Sequence, residues 1–379
     1  MEDNKDKKVL NVPTLRFPEF SDEWENKTLK DILKYEQPAK YIVNDEEYLQ
    51  SGVPVLTANK SFILGYTKEN TNIYKKECFI FDDFTLDMKY VNFPFKVKSS
   101  AIKIITANKQ NNIYFWYNYL KRMDLVSLSH NRHWISQVSL LQAKVPNIDE
   151  QTKIADFLSL IDKRIELQNK IIKDYKLLKK ELNNKLFCQI NNSTPKIRFK
   201  NFYEKWAKNK VKNIFESVTR GYTLSKKDIS TIKTNTFKYP VYSSQTLNNG
   251  LLGYYSNYLY ENAITWTTDG ANAGEVNFRK DKFYCTNVCG VLLSNNGYCN
   301  ECMAAIINKV TKKFVSLVGN PKLMNNVMEN IEIIFPSNIK EQLKISIFLS
   351  TIDKIIALYK NAINLYKKQK NFFLSKLFI

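Results

Sequence analysis

The chain has 379 residues, 44% hydrophobic and 25% charged, which is the make-up of an ordinary folded protein and not of a disordered one. Lysine and arginine number 57 against 37 aspartates and glutamates, a net charge of +20 that attracts polyanions and makes nucleic acid the leading partner class. No run approaches 18 consecutive apolar residues and the start, MEDNKDKK, lacks an apolar signal core, so no membrane span is expected and the expected address is the cytoplasm.

In chain order, the first patterned segment is LRFPEFSDEWENKTLKDILK from Leu15. GVPVLTANKSFILGY follows from Gly52, then the strand-like runs ECFIFDD from Glu77 and AIKIITA from Ala101. Asn111 to Met123 reads as a helix. SHNRHWIS, with His130 and His133, reads as a loop. Pro146 then precedes a long helical stretch, as prolines do ahead of helix starts.

The same order is then written a second time. IRFKNFYEKWAKNKVKNIFE, from Ile197, repeats the first segment at Arg16/Arg198, Phe17/Phe199, Phe20/Phe202, Trp24/Trp206, Lys30/Lys212 and Ile32/Ile214. YPVYSSQTLNNGLLGY, from Tyr239, aligns Pro54 with Pro240, Val55 with Val241, Gly65 with Gly253 and Tyr66 with Tyr254. ENAITWTTDG and FYCTNVCGVLL read as further strands, and Glu301 to Lys309 as a helix. After Pro336, EQLKISIFLSTIDKIIAL matches EQTKIADFLSLIDKRIEL at twelve of eighteen positions without a gap.

Stepping alternately by four and three residues places Ile154, Leu158, Ile161, Ile165 and Ile172 on one stripe of the first helix. Ile345, Leu349, Ile352, Ile356 and Ile363 form the matching stripe of the second. A sustained 3.5-residue period without proline or glycine predicts a coiled-coil seam, in helices about 57 Å long. Lys179 and Lys370 fall polar within that seam, where such residues often fix register. The expected fold is therefore mixed α/β: two globular domains and two long antiparallel helices in a pseudo-two-fold internal repeat. The divisions are 1–144 (first globular domain), 145–190 (first helix), 191–335 (second globular domain) and 336–379 (second helix).

Catalytic signatures are missing from the sequence. There is no phosphate-binding Gly-x-x-x-x-Gly-Lys loop, and Asn320-Pro321 is followed by Lys322-Leu323, which does not continue a methyltransferase motif. Asp82 and Asp83 are adjacent, a poor spacing for a metal pair on a strand. Cys285, Cys289, Cys299 and Cys302 have a spacing that a zinc site could use, but two of them sit in strand-like sequence where small buried thiols are common. No metal site and no catalytic residue is assigned. Two diverged copies of one unit suit a reader of two unequal DNA half-sites.

At this point LRFPEFSDEW, IRFKNFYEKW and the paired proline, Glu-Gln and Ile-Asp-Lys pattern resemble the specificity subunits of Type I restriction-modification systems, over nearly the whole chain. The resemblance implies two target recognition domains, each reading half of a bipartite, gapped DNA target. It implies that the coiled coil sets the spacer and docks two modification (methyltransferase) subunits. Those would carry S-adenosylmethionine and methylate adenine N6. Restriction subunits using ATP and Mg would join the same core, and no cofactor is expected in this chain. Because the helix occurs twice, a full-length subunit is expected. A free-standing DNA-binding regulator and a coiled-coil scaffold are the alternatives.

Position and side-chain chemistry nominate the DNA contacts. In the first domain they are Thr57, Asn59, Lys60, Asn131, Arg132 and His133. In the second they are Arg220, Ser243, Ser244, Gln245, Thr267, Thr268, Asp269 and Asn272. Asn, Gln and Arg suit base edges, whereas Ser, Thr and Lys suit phosphates.

Overall fold

The computed structural model describes residues 11–45, 47–57, 61–123, 125, 133–188, 192–245 and 248–379. The chain divides into two compact units, Met1–Gln168 with Asn361–Ile379, and Asn169–Lys360. The sequence divides the chain by repeat, whereas the units divide it by packing, so each long helix contributes to both.

In the first unit the elements are β1 (Glu25–Thr28), α1 (Leu29–Ile32), β2 (Leu33–Glu36), β3 (Val53–Leu56), β4 (Ile63–Thr67), β5 (Cys78–Asp82), β6 (Met88–Val91), β7 (Lys96–Val97), β8 (Ile102–Ala107), α2 (Ile113–Arg122), α3 (His133–Ser136), β9 (Gln142–Val145) and the start of α4 (Ile148–Leu186). The second unit holds the end of α4, β10 (Ala207–Lys210), β11 (Ser217–Arg220), β12 (Tyr239–Tyr242), β13 (Leu251–Tyr255), β14 (Tyr260–Thr267), β15 (Val276–Cys285), β16 (Cys289–Leu293), α5 (Glu301–Thr311), α6 (Asn325–Asn330), β17 (Glu332–Phe335) and the start of α7 (Ile339–Leu377).

Both units have the same topology. β1 pairs antiparallel with β9, and β10 with β17. The first unit has sheets ordered β2-β8-β5-β6 and β4-β3-β7, and the second a single sheet ordered β11-β16-β14-β15-β12-β13. The difference lies in one strand. β15 runs unbroken for 10 residues and joins both halves of its sheet, where the first unit has the separate strands β6 and β7. The aligned hairpins agree in register. Pro54 faces Tyr66 and Val55 faces Gly65, while Pro240 faces Tyr254 and Val241 faces Gly253. Each hairpin bulges immediately after that valine. The paired glycines have a steric cause. A Cβ on Gly65 would lie 2.5 Å from the Tyr48 Cβ, and one on Gly253 2.5 Å from the Ser230 carbonyl oxygen.

The repeated Arg, Trp and Glu residues meet in space. The Arg16 guanidinium donates to both carboxylate oxygens of Glu150 at 2.7 Å, and the Trp24 indole N–H adds a third bond at 3.1 Å. Arg198 donates to both oxygens of Glu341 at 2.8 Å, joined by Trp206 at 3.4 Å. Both glutamates are buried on the first turn of a long helix. A buried carboxylate is tolerated only when paired and hydrogen-bonded, which the bidentate arginine and the indole provide. Each glutamate in turn raises its arginine above the ordinary value, chiefly through the hydrogen bond. The adjacent glutamines tie the helix start to its own domain. The Gln151 amide donates to the Pro146 carbonyl at 3.0 Å and accepts from the Asn112 N–H at 2.9 Å. Gln342 donates to the Pro336 carbonyl at 2.6 Å and accepts from the Asn300 amide at 2.7 Å.

α4 and α7 are 39 residues each. Of the ten seam residues, nine are buried, and Ile165 is half-buried. Within each unit the helices run antiparallel. In the first, Phe157 meets Phe373 edge-on at 4.7 Å and Lys370 reaches Asp162 at 2.6 Å. In the second, Tyr175 stacks on Tyr359 and Lys179 reaches both oxygens of Asp353 at 2.7 Å. The seam lysines thus find the aspartates of the two Ile-Asp-Lys repeats. The helix ends finish inside cores: Leu377 and Phe378 pack with Trp24, Phe115 and Leu158, and Leu186 and Phe187 pack with Trp206, Met303 and Leu349.

Candidate nucleic-acid interface

In the second unit the loops at one edge of the sheet converge on a short turn. The sequence FYCTNVCGVLL, expected as one strand, is broken at 286–288 between β15 and β16, with Cys289 N–H closing onto the Thr286 carbonyl at 3.0 Å. Three predicted segments touch this turn. Gly221, directly after Arg220, donates to Cys289, and a Cβ there would lie 2.1 Å from the Cys285 carbonyl oxygen, so only glycine permits the approach. The Thr286 hydroxyl donates to the Ser243 hydroxyl at 3.1 Å. Thr268 N–H donates to the Val288 carbonyl at 3.0 Å. Asn287, at the apex, is exposed. It is a residue the sequence reading missed, because the flanking cysteines and aromatics gave a strand pattern with no turn signal beyond the asparagine itself.

The nominated side chains divide by exposure. Arg220 is exposed. Ser243, Ser244, Gln245, Thr267, Asp269 and Asn272 are half-buried. Gln245 is partly committed, its amide donating to the Leu251 carbonyl. Thr268 is fully buried and its hydroxyl donates to Asp269 at 2.6 Å, which corrects its nomination: it braces the loop from beneath. Asp269 also lies 3.9 Å from Lys322, and Gly270, at φ +94°, donates to the Pro321 carbonyl, so this loop rests on the segment 316–322.

In the first unit Thr57 directly follows β3, half-buried, with its N–H on the Phe62 carbonyl at 2.8 Å. Asn59, Lys60, Asn131 and Arg132 lie outside the described residues. His133 is fully buried at the start of α3, which corrects its nomination as a surface contact. Its backbone N–H and that of Trp134 donate to Asp83, itself 3.6 Å from the buried Lys103 ammonium. That ion pair anchors the chain where it leaves the 126–132 segment. Asp82, by contrast, caps a turn through the N–H groups of Phe84 and Thr85.

The four clustered cysteines separate in space. Cys285 and Cys289 belong to one apolar cluster with Phe283 and Val291, whereas Cys302 sits in another with Met303 and Ile307, and Cys299 packs against it. Burial pushes the Cys289 and Cys299 thiols up to about 11. Among the described residues no group of three or more His, Cys, Asp or Glu could hold a metal ion, and no helix is long and apolar enough to cross a membrane.

Comparison with known proteins gives this arrangement a context. The sequence profile of the Type I restriction modification DNA specificity domain matches residues 21–176 and again 203–366. The chain is 38% identical over 168 residues to the Type I restriction enzyme EcoR124I/EcoR124II specificity subunit of Escherichia coli, covering 41% of each protein. It is 37% identical over 166 residues to the putative type I specificity subunit S.MpnORF507P of Mycoplasma pneumoniae, covering 43% of this chain and 44% of that one. The matched segments thus span less than half the length of these relatives. The fold is similar to that of the Type-I restriction-modification system S subunit from M. genitalium, with a TM-score of 0.69 at 16% identity over 97% of this chain and 99% of that one. With two copies of the profile on the two repeats found in its sequence, the chain belongs to the Type I restriction modification DNA specificity domain family.

Proposed function

We propose that the chain is the DNA sequence-recognition subunit of a Type I restriction-modification complex, with each recognition domain reading one half of a bipartite, gapped target. The observation that carries this reading is the doubling itself. Two units share strand order and hairpin register, while the loops nominated for contact differ in length and sequence. A common scaffold with divergent loops is what two different half-sites require.

In this reading the chain is non-catalytic and works in the cytoplasm. Its coiled coil sets the spacer and docks modification subunits that carry S-adenosylmethionine, and restriction subunits supply ATP- and Mg-dependent steps. Docking of the modification subunits has support in the long helices. Leu160 and Leu167 of α4, and Leu358, Leu365 and Phe372 of α7, repeat every seven residues yet stay more than half exposed. Heptad-spaced apolar side chains left in water suit partner helices.

The test is a pair of variants read by mapping N6-methyladenine. Exchanging residues 27–144 for the corresponding segment of a relative changes one half-site and leaves the other unchanged. Inserting four residues near Gln168, about one helical turn, lengthens the spacer and leaves both half-sites intact. A change in both half-sites from the exchange would contradict the assignment.

A further inference from the structure

The two repeats also differ beside the long helices, at α2 and α5. α2 and α5 start on equivalent asparagine caps, Asn112 and Asn300. Two and five residues on, the first unit has Tyr114 and Tyr117, which pack with Tyr90 and fill the space beside α4, the Tyr114 hydroxyl bonding Asp162. The second unit has Cys302 and Ala305 there. Beside Ala305 lies an open groove of ≈ 720 Å³ bordered by α4, α5, α7 and β15, while Cys302 is buried in the core.

That groove is basic. Lys176 and Lys180 of α4 and Lys360 of α7 line it, all three exposed, together with Lys309 and Arg279. Of the lining carboxylates, Asp353 is already taken by Lys179, which leaves Glu301 as the one acidic side chain against five basic ones. Arg279 is the unusual member. It is only 9% exposed, stacks on the Tyr242 ring at 3.7 Å, and donates to the Thr265 hydroxyl at 3.0 Å and to the Asn249 carbonyl at 2.8 Å. The Glu275 and Glu301 carboxylates act on it through space, and its hydrogen bonds go to uncharged oxygens.

The same arginine ties the groove to the reading loop. Tyr242 immediately precedes Ser243, and Asn249 closes the loop that holds Ser244 and Gln245. We infer that this groove holds the phosphodiester backbone of duplex DNA beside the second half-site, with Lys176, Lys180 and Lys360 as sequence-independent phosphate contacts. The inference rests on the DNA-reading function and adds an asymmetry to it. One half-site gains a backbone clamp from the coiled coil, and the other, where tyrosines fill the space, does not.

The experiment compares the full chain with two charge-matched variants on a mixed-sequence duplex across a salt series. One is Lys176→Ala/Lys180→Ala/Lys360→Ala. The other is Lys354→Ala/Lys367→Ala/Lys368→Ala, which removes exposed helix lysines that do not line the groove. Each lost phosphate contact makes the slope of log affinity against log salt shallower by about 0.9, so the groove variant is expected to lose about 2 to 3 and the control under 1, with the methylated motif unchanged. Equal losses from both variants, or an unchanged slope, would overturn the clamp. So would an unchanged slope accompanied by lost association with modification subunits, which would assign the groove to a protein. Absence of duplex binding by the unaltered chain would instead overturn the DNA-reading function, and the clamp with it.

Discussion

Glu150 and Glu341 are carboxylates taken out of water where a long helix meets its domain, and their environments explain residues that looked merely repeated. Removing the carboxylate strands an arginine whose side chain is 14% or 16% exposed. Breaking such a pair costs about 3–5 kcal/mol, so Glu150→Ala and Glu341→Ala should each lower stability by that amount in chemical denaturation. A loss under about 1 kcal/mol would show that the clamp is not structural. The matched Arg and Trp in LRFPEFSDEW and IRFKNFYEKW were visible in the sequence, but their meeting point was not, because more than a hundred residues of intervening domain separate them from the glutamates. His133 and Thr268 were nominated for their polar chemistry and proved buried, since a polar residue beside a loop signal reads alike whether it faces water or braces the loop. Asn287 illustrates the reverse error. Its amide lies exposed where Arg220, Ser243 and Thr268 segments meet. Asn287→Ala should weaken binding of the cognate duplex by about 1–3 kcal/mol, measured by titration, and relax one half-site only.

At the scale of elements, the long helices were the most legible part of the chain, because a 3.5-residue period over 39 residues admits few other readings. Their polar seam positions needed a partner to be understood. Lys179 pairs with Asp353 and Lys370 with Asp162, each pair on antiparallel neighbours. The aspartates are 45% and 37% exposed, so solvent screening limits each pair to under about 1 kcal/mol. Their value lies in register. Lys179→Asp should destabilise the helix pair, and Lys179→Asp with Asp353→Lys should restore thermal stability to within about 1 kcal/mol. A double variant no more stable than the single one would show that the Lys179–Asp353 pair does not set register. The repeat of Pro54 and Tyr66 as Pro240 and Tyr254 was legible too, but that each tyrosine faces its proline across a hairpin came only with the fold. The break in β15–β16 was not, since alternating aromatics and cysteines carry a strand pattern through a three-residue turn.

At the scale of the whole molecule, the proposed function ties one fold written twice to two different DNA half-sites. Twin topologies, matched glutamate clamps and matched Lys–Asp pairs establish the duplication. Divergence is concentrated in the loops and in the groove that tyrosines fill in one copy alone. Reading the duplication needed only sequence identity at fixed spacing. Reading which loops converge needed the fold, because Arg220, Ser243, Thr268 and Asn287 are scattered along the chain and meet only through strand order. The most direct measurement is a genome-wide map of N6-methyladenine in the source cells, with and without this gene. Without the gene, methylation should disappear from one bipartite, gapped, asymmetric motif and from nothing else. An unchanged map, in cells that express the modification subunits, would contradict it.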